Sequence, residues 1–126
     1  MTTFDLEPIK ERLAAATPGP WEMSYDADDK WTSITGQPYD DGGQWLVCPE
    51  VATCEGEPDA DSTFIAHAPE DIAALIIEVE RLRGQIDAVR EHHVPVDANY
   101  YAATVTECCS CPGPWPCPTI RALEAA

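Results

Sequence analysis

The residues of this chain whose types and spacing could support chemistry are the cysteines among its last twenty residues. Cys108 and Cys111 form a C-x2-C pair, and Cys117 follows six residues after the second of them. His92 and His93 precede the pair by about fifteen residues. Three thiolates and one imidazole complete a tetrahedral zinc site. The predicted ligands are His93, Cys108, Cys111 and Cys117.

The predicted site is structural, because catalytic zinc keeps one of its positions for water. A proline-rich tail with few apolar groups gains most from such a centre. Two ligand choices stay open from spacing alone, since His92 is an alternative to His93 and Cys109 is a spare thiol. The alternative to a metal site is a tail of free, oxidisable thiols. Cys48 and Cys54, six residues apart, are expected in the core rather than as ligands.

Charge and length limit the classes of protein to which this chain can belong. The 126 residues include 7 Lys and Arg against 23 Asp and Glu, for a formal net charge of −16. A chain this acidic repels phosphate backbones, which argues against direct nucleic-acid binding and suits a basic partner or high solubility. No apolar run approaches the ~20 residues that span a bilayer, and no secretory signal is visible. Six cysteines then favour thiols or a metal in a cytoplasmic protein.

Catalysis has no support in the sequence. There is no G-x-S-x-G, H-E-x-x-H, P-loop or dinucleotide-binding fingerprint. His67 stands four residues before Asp71, a spacing that is typical of local helix electrostatics rather than of an acid–base pair. The aspartates of the turns fail the EF-hand spacing. We therefore predict that the protein is not an enzyme.

The element that leads into the cysteine region is a helix predicted from Pro69 to His93. Its apolar residues alternate three and four apart, as in the a/d stripe of about three heptads. They are Ile72, Leu75, Val79, Leu82, Ile86 and Val89. Ala73, Ala74 and Ile76 widen the stripe at its beginning, so that half is assigned to the core. From Val79 onward the stripe narrows, and the row from Ile72 to Val89 is predicted to be a homo-oligomer interface rather than one face of a helix packed only on its own domain.

The rest of the chain predicts an α+β fold with a domain over 1–93 and a Cys-rich tail over 94–126. A helix over Phe4–Ala16 ends at Thr17-Pro18, because the residue before proline is driven to extended geometry. Short runs rich in aromatic and β-branched residues predict an antiparallel meander with strands at 21–25, 31–35 and 44–48. A possible fourth strand covers 51–54. Asp61-Ser62-Thr63 is expected to cap a helical turn before Pro69.

The tail itself is predicted with little regular structure. Residues 100–106 are expected to be extended or irregular. A short helix over Thr119–Glu124, capped by Thr119, follows the cysteines.

Aromatic residues are dense in the region of the meander. Trp21, Trp31, Trp45 and Tyr39 all fall there. Core packing is the favoured interpretation, and a ligand or partner surface is the alternative, since Trp and Tyr concentrate at interfaces.

Three segments together are similar to a known group of proteins. They are the turn TPGPW at 17–21, the run from Asp61 through FIAHA to EVERLR at 78–83, and the tail from Cys108 to WPCPT at 115–119. The chain resembles small accessory proteins of actinobacteriophages and their prophages. The resemblance implies a phage origin and does not specify a biochemical activity.

The function expected from these features is that of a non-enzymatic phage accessory protein. It would act in the host cytoplasm by binding a host protein or host-defence component, with no direct nucleic-acid or membrane role. One alternative is a sponge that sequesters a nucleotide-type signalling molecule on its aromatic residues. A small metal-dependent hydrolase is the least favoured alternative.

Overall fold

A computed structural model describes residues 4–101 and 103–125 and confirms the α+β class. Its elements in chain order are α1 (Glu7–Ala15), β1 (Glu22–Asp26), β2 (Trp31–Thr35), β3 (Glu50–Glu55), α2 (Ala60–His92), β4 (Pro95–Tyr100), β5 (Ala103–Cys108) and α3 (Pro118–Glu124). The chain divides into two compact units, Phe4–Ile77 and the residues from Glu78 onward. This division falls inside α2, whereas the sequence suggested a boundary after His93.

The first unit contains a three-stranded antiparallel sheet in the order β1-β2-β3. In the central strand β2, Thr32 and Ile34 alternate with less buried neighbours and are completely buried. This alternation is the pattern of a strand with one face on the core. The Thr32 hydroxyl donates a hydrogen bond of 2.8 Å to the Gly56 carbonyl, so its burial leaves no unpaired polar atom.

The third strand of the meander differs from the prediction. Residues 44–48 form no strand and make only an isolated bridge between Tyr39 and Val47. The predicted fourth strand, 51–54, is instead the centre of β3 and pairs with β2. The apolar run at 44–48 therefore belongs to an exposed excursion between β2 and β3, in which Trp45 is 78% exposed.

The long helix begins nine residues before the predicted start at Pro69. Asp59 and Ser62 form a capping box at its N-terminus, with the Asp59 N–H donating to the Ser62 Oγ and the Ser62 N–H donating to the Asp59 Oδ1, each at 2.9 Å. The cap is therefore Asp59 rather than the predicted Asp61-Ser62-Thr63 segment. Pro69 lies inside the helix and is buried, so the lost backbone hydrogen bond is tolerated at a packed position.

The face of α2 that the first unit buries is not the predicted stripe. Its buried residues are Ser62, Ala66, Pro69 and Ile76. Ile72 and Leu75, which were assigned to the core, are exposed, Leu75 by 64%. The core assignment is therefore wrong for Ile72 and Leu75 and confirmed for Ile76, which lies on the buried face together with the small residues Ser62 and Ala66 and with Pro69.

The second unit contains more regular structure than predicted for the tail. Strands β4 and β5 form an antiparallel hairpin, where an extended or irregular segment was expected. Helix α3 begins at Pro118 with Cys117 as its N-cap residue, so the predicted Thr119 cap is wrong. Cys108, Cys117 and Ile120 form the buried cluster of this unit, and Cys111, Trp115 and Leu123 pack against it. Within the described residues, no helix is long and apolar enough to cross a membrane.

Candidate metal centre

Four short pieces of the second unit bring the predicted ligands together. His93 directly follows the last residue of α2, and Cys108 is the last residue of β5. Cys111 lies in the turn after that strand, and Cys117 is the N-cap residue of α3. One ligand atom of each residue lies within 4.8 Å of the corresponding atoms of all the others. The four residues can therefore hold one metal ion.

The distances around His93 fit tetrahedral coordination. Its Nδ1 lies 3.5 Å from the Cys108 Sγ and 3.6 Å from both the Cys111 Sγ and the Cys117 Sγ. Zinc bonds of about 2.3 Å to sulfur and about 2.0–2.1 Å to nitrogen give a sulfur–nitrogen edge of about 3.6 Å in a tetrahedron. The three nitrogen–sulfur distances thus match the edge length expected for ligands of one zinc ion.

Hydrogen bonding alone does not account for this arrangement. A neutral imidazole nitrogen without a proton has one lone pair, so Nδ1 accepts one hydrogen bond, and a protonated Nδ1 donates one. Three sulfurs nevertheless surround this one atom at nearly equal distances. The arrangement is compatible with metal coordination, in which every ligand directs a lone pair at the same central point.

The backbone around the cluster is held by the knuckle between β5 and α3. The Cys108 N–H donates to the Gly113 carbonyl at 3.3 Å, and the Trp115 N–H donates to the Thr106 carbonyl at 2.9 Å. Gly113 has a φ of 116°, a left-handed conformation that only glycine adopts without strain. These bonds fold the turn back on the strand and bring Cys111 and Cys117 towards Cys108.

The thiols of the cluster have opposite pKa shifts. The backbone N–H of Ile120 in the first turn of α3 lowers the pKa of Cys117 to about 6, and the neighbouring thiols and His93 add to this shift. Contact with Cys108 and Cys117 raises the pKa of Cys111 to about 12. Three thiolates this close repel one another, so the full set of ligands ionises only with a cation between them.

The structure distinguishes between the ligand choices that spacing left open. His92 is exposed, and its carbonyl accepts hydrogen bonds from the Cys109 Sγ and the Ser110 Oγ. Cys109 is exposed outside the four-residue cluster, and its contact with the Ser110 hydroxyl lowers its pKa. His93, rather than His92, therefore completes the cluster.

Other residues selected from the sequence lie on the surface. Trp31, Tyr39 and Trp45 are exposed, and the core interpretation of these side chains is wrong. Trp21 is half-buried and donates from Nε1 to the Thr17 carbonyl at 2.8 Å. Cys48 is exposed, against its expected place in the core, and Cys54 is half-buried.

The predicted oligomer stripe also lies on the surface of this single chain. Val79 is half-buried, and the other members are exposed. They are Ile72, Leu75, Leu82, Ile86 and Val89.

Comparison of the chain with protein-family models, curated proteins and solved structures finds no match. The resemblance to phage accessory proteins therefore stays a prediction from the quoted segments.

Proposed function

We propose that His93, Cys108, Cys111 and Cys117 bind one structural zinc ion that folds the second unit. The observation that carries this proposal is the placement of three sulfurs at 3.5–3.6 Å from one imidazole nitrogen. Three cysteines and one histidine are a common structural zinc set. All four coordination positions are then filled by the protein, which supports a structural role.

The need for a metal follows from how little else this unit buries. Among its described residues only Cys108, Cys117 and Ile120 are buried, and two of these are proposed ligands. So small a core stabilises a fold weakly. Zinc binding by such ligands contributes directly to the free energy of folding.

Metal analysis of protein purified without chelator tests the site. We expect about one zinc per chain, and we expect Cys111→Ser and His93→Asn to lower this ratio strongly. Cys109→Ser and His92→Asn are matched controls, because each changes the same residue type next to the cluster and leaves the four ligands in place. Protein that stays without zinc after refolding with added zinc contradicts the proposal.

Cobalt substitution provides a second measurement of the same site. Co²⁺ in a tetrahedral site with three thiolates absorbs visible light through d–d transitions, and its thiolate bonds absorb in the near ultraviolet. We expect these bands in the wild-type chain and in Cys109→Ser. Their absence from Cys111→Ser would show that this sulfur is a ligand.

At the level of the whole chain, we propose a binding protein that acts without turnover in the cytoplasm of a bacterial host. The support is an exposed aromatic and aliphatic surface, the excursion surface, formed by Tyr39, Trp45 and Leu46 between β2 and β3. Asp40 and Asp41 lie in the same segment, and the chain carries a net charge of −16. Exposed Trp and Tyr beside acidic groups suit a host protein with a basic, partly apolar surface.

Affinity capture from host lysate tests the binding role. We expect one host protein to be retained by the wild-type chain, released by salt, and lost with Trp45→Ala. Phe64→Ala is the matched control, since Phe64 is equally exposed, at 74% against 78%, but lies on α2 rather than on the excursion surface. Retention of a nucleotide in place of a protein would favour the sponge alternative.

A further inference from the structure

The exposed stripe of α2 has the features of one half of a coiled coil. With Ile72 at position a of a heptad, the a positions are Ile72, Val79 and Ile86, and the d positions are Leu75, Leu82 and Val89. All six lie within the continuous helix Ala60–His92, and five of them are exposed, by 37% to 64%. Such a row of apolar side chains is stabilised when a second helix covers it.

The residue types along this stripe favour two strands. β-Branched residues at a with leucine at d direct parallel coiled coils towards dimers. Every a position here is isoleucine or valine, and two of the three d positions are leucine. We infer that α2 pairs with α2 of a second copy of this chain, in a parallel and in-register dimer.

Charges beside the stripe agree with this orientation. Position g carries Asp71, Glu78 and Gln85, and position e carries Arg83 and Arg90 after the apolar Ile76. In a parallel dimer each g residue faces the e residue five positions later in the partner helix, which pairs Glu78 with Arg83. The same rule places the Gln85 amide beside Arg90. An antiparallel pair would instead oppose arginine to arginine and acid to acid, which is unfavourable.

The contacts that Glu78 and Arg90 make within the helix are compatible with the pairing. Glu78 binds Arg81 within the same helix at 2.6–2.8 Å, and Arg90 lies 3.6 Å from Asp87. All of these pairs are solvent-exposed, and such pairs contribute little and exchange readily. The helix is also folded before association, so the entropy lost on pairing is smaller than for a helix that folds on binding.

Analytical ultracentrifugation of the full chain with its metal bound tests the dimer. We expect a concentration-dependent equilibrium between monomer and dimer. Glu78→Arg and Arg83→Glu each place like charges at two equivalent contacts of the dimer, and we expect each to weaken association by about tenfold or more. The double variant Glu78→Arg/Arg83→Glu restores opposite charges in the parallel dimer only, and we expect it to recover wild-type affinity.

Two control variants distinguish a loss of association from a loss of folding. Arg81→Glu breaks the same Glu78–Arg81 contact but lies at the outward position c, so we expect no change in association. Leu82→Lys should abolish the dimer, whereas Ile77→Lys, at the outward position f, should not. Circular dichroism at 222 nm and the zinc content of each variant report whether the chain still folds.

Two kinds of sedimentation result would contradict the parallel dimer. A wild-type chain that sediments as a monomer up to about millimolar concentration has no such interface. Single charge reversals that leave association unchanged would exclude the parallel arrangement, as would a double variant that stays weak. The inference depends on α2 and not on the proposed zinc site, so a monomer with one zinc per chain would refute the dimer alone.

Discussion

The two compact units of this chain bury different kinds of residue. In the first unit, the buried polar groups Thr32 and Ser62 each have a hydrogen-bond partner within the protein, and Ile34, Ala66 and Ile76 are buried apolar residues. In the second unit, the buried side chains are mainly thiols that converge on one histidine nitrogen. Hydrogen bonds and apolar packing within the protein account for the first arrangement, whereas for the second we propose a metal ion at its centre.

The largest expected effect is the loss of the second unit alone when the metal is removed. A strong chelator, or Cys111→Ser, removes a binding free energy that is roughly 10–16 kcal/mol in small zinc domains, as large as the whole stability of a typical domain. We expect amide protection to disappear from the β4–β5 hairpin and to persist in β1, β2 and β3. Hydrogen–deuterium exchange followed by mass spectrometry measures both regions in one sample.

Cys109→Ser is the control for this experiment, because Cys109 is exposed and outside the cluster. Its exchange pattern should match that of the wild-type chain. Loss of protection in both units after chelation would show that they fold as one, and loss in neither would show that the metal has no structural role.

A complementary substitution tests the first unit without touching the ligands. Ile34 is completely buried in the central strand, so Ile34→Ala removes contacts and leaves a cavity. We expect a decrease of about 2–5 kcal/mol in the free energy of unfolding of this unit, with zinc content unchanged. Urea unfolding, followed by exchange in β1–β3, provides the measurement.

Val105→Ala is the matched control for Ile34→Ala, since Val105 is an exposed strand residue of the second unit. A change within about 0.5 kcal/mol is expected there. Loss of zinc in Ile34→Ala would mean that zinc binding by the second unit depends on the stability of the first unit.

The proposed metal ligands were predictable because the evidence for them is local. Cys108 and Cys111 are only three residues apart in the chain, and the types of the four side chains restrict the metal and its geometry. The choice between His92 and His93 was not predictable, because adjacent residues at a helix end have the same spacing to the cysteines. It is decided by where α2 ends, since His93 is the first residue beyond the helix.

The α+β class of the fold was predictable from the sequence, but the pairing of its strands was not. Residues 44–48 have the composition of a strand, yet β2 pairs with Glu50–Glu55. Strand propensity reports how a residue suits a pleated surface, while the partner is chosen by long-range packing. The same reason explains Pro69, whose helix-breaking tendency is outweighed where the helix is already capped at Asp59 and packed through Ala66.

The smallest expected effect concerns this cap and its dependence on pH. The N–H of Ser62 donates to the Asp59 carboxylate, which lowers the pKa of Asp59 from 3.8 in the folded chain. A lowered pKa means that the carboxylate stabilises the fold above about pH 4, its pKa when unfolded, and that this contribution is lost as the pH falls through the folded value. Asp59→Asn keeps a capping oxygen but removes the charge.

We therefore expect Asp59→Asn to destabilise the first unit slightly at pH 7 and to match the wild-type chain once the pH is below the lowered pKa of Asp59 in the folded chain. Urea midpoints, followed by hydrogen exchange in β1–β3, measure this difference in the first unit. The proposed metal centre does not contribute, because its ligands are protonated in acid and no longer bind the metal. Asp61→Asn is the control, because it removes an acidic residue from the same helical turn and leaves the Asp59–Ser62 pair intact. A gap between Asp59→Asn and wild type that widens on acidification would show that the charge of Asp59 opposes folding, and the first unit would then not be capped as its hydrogen bonds indicate.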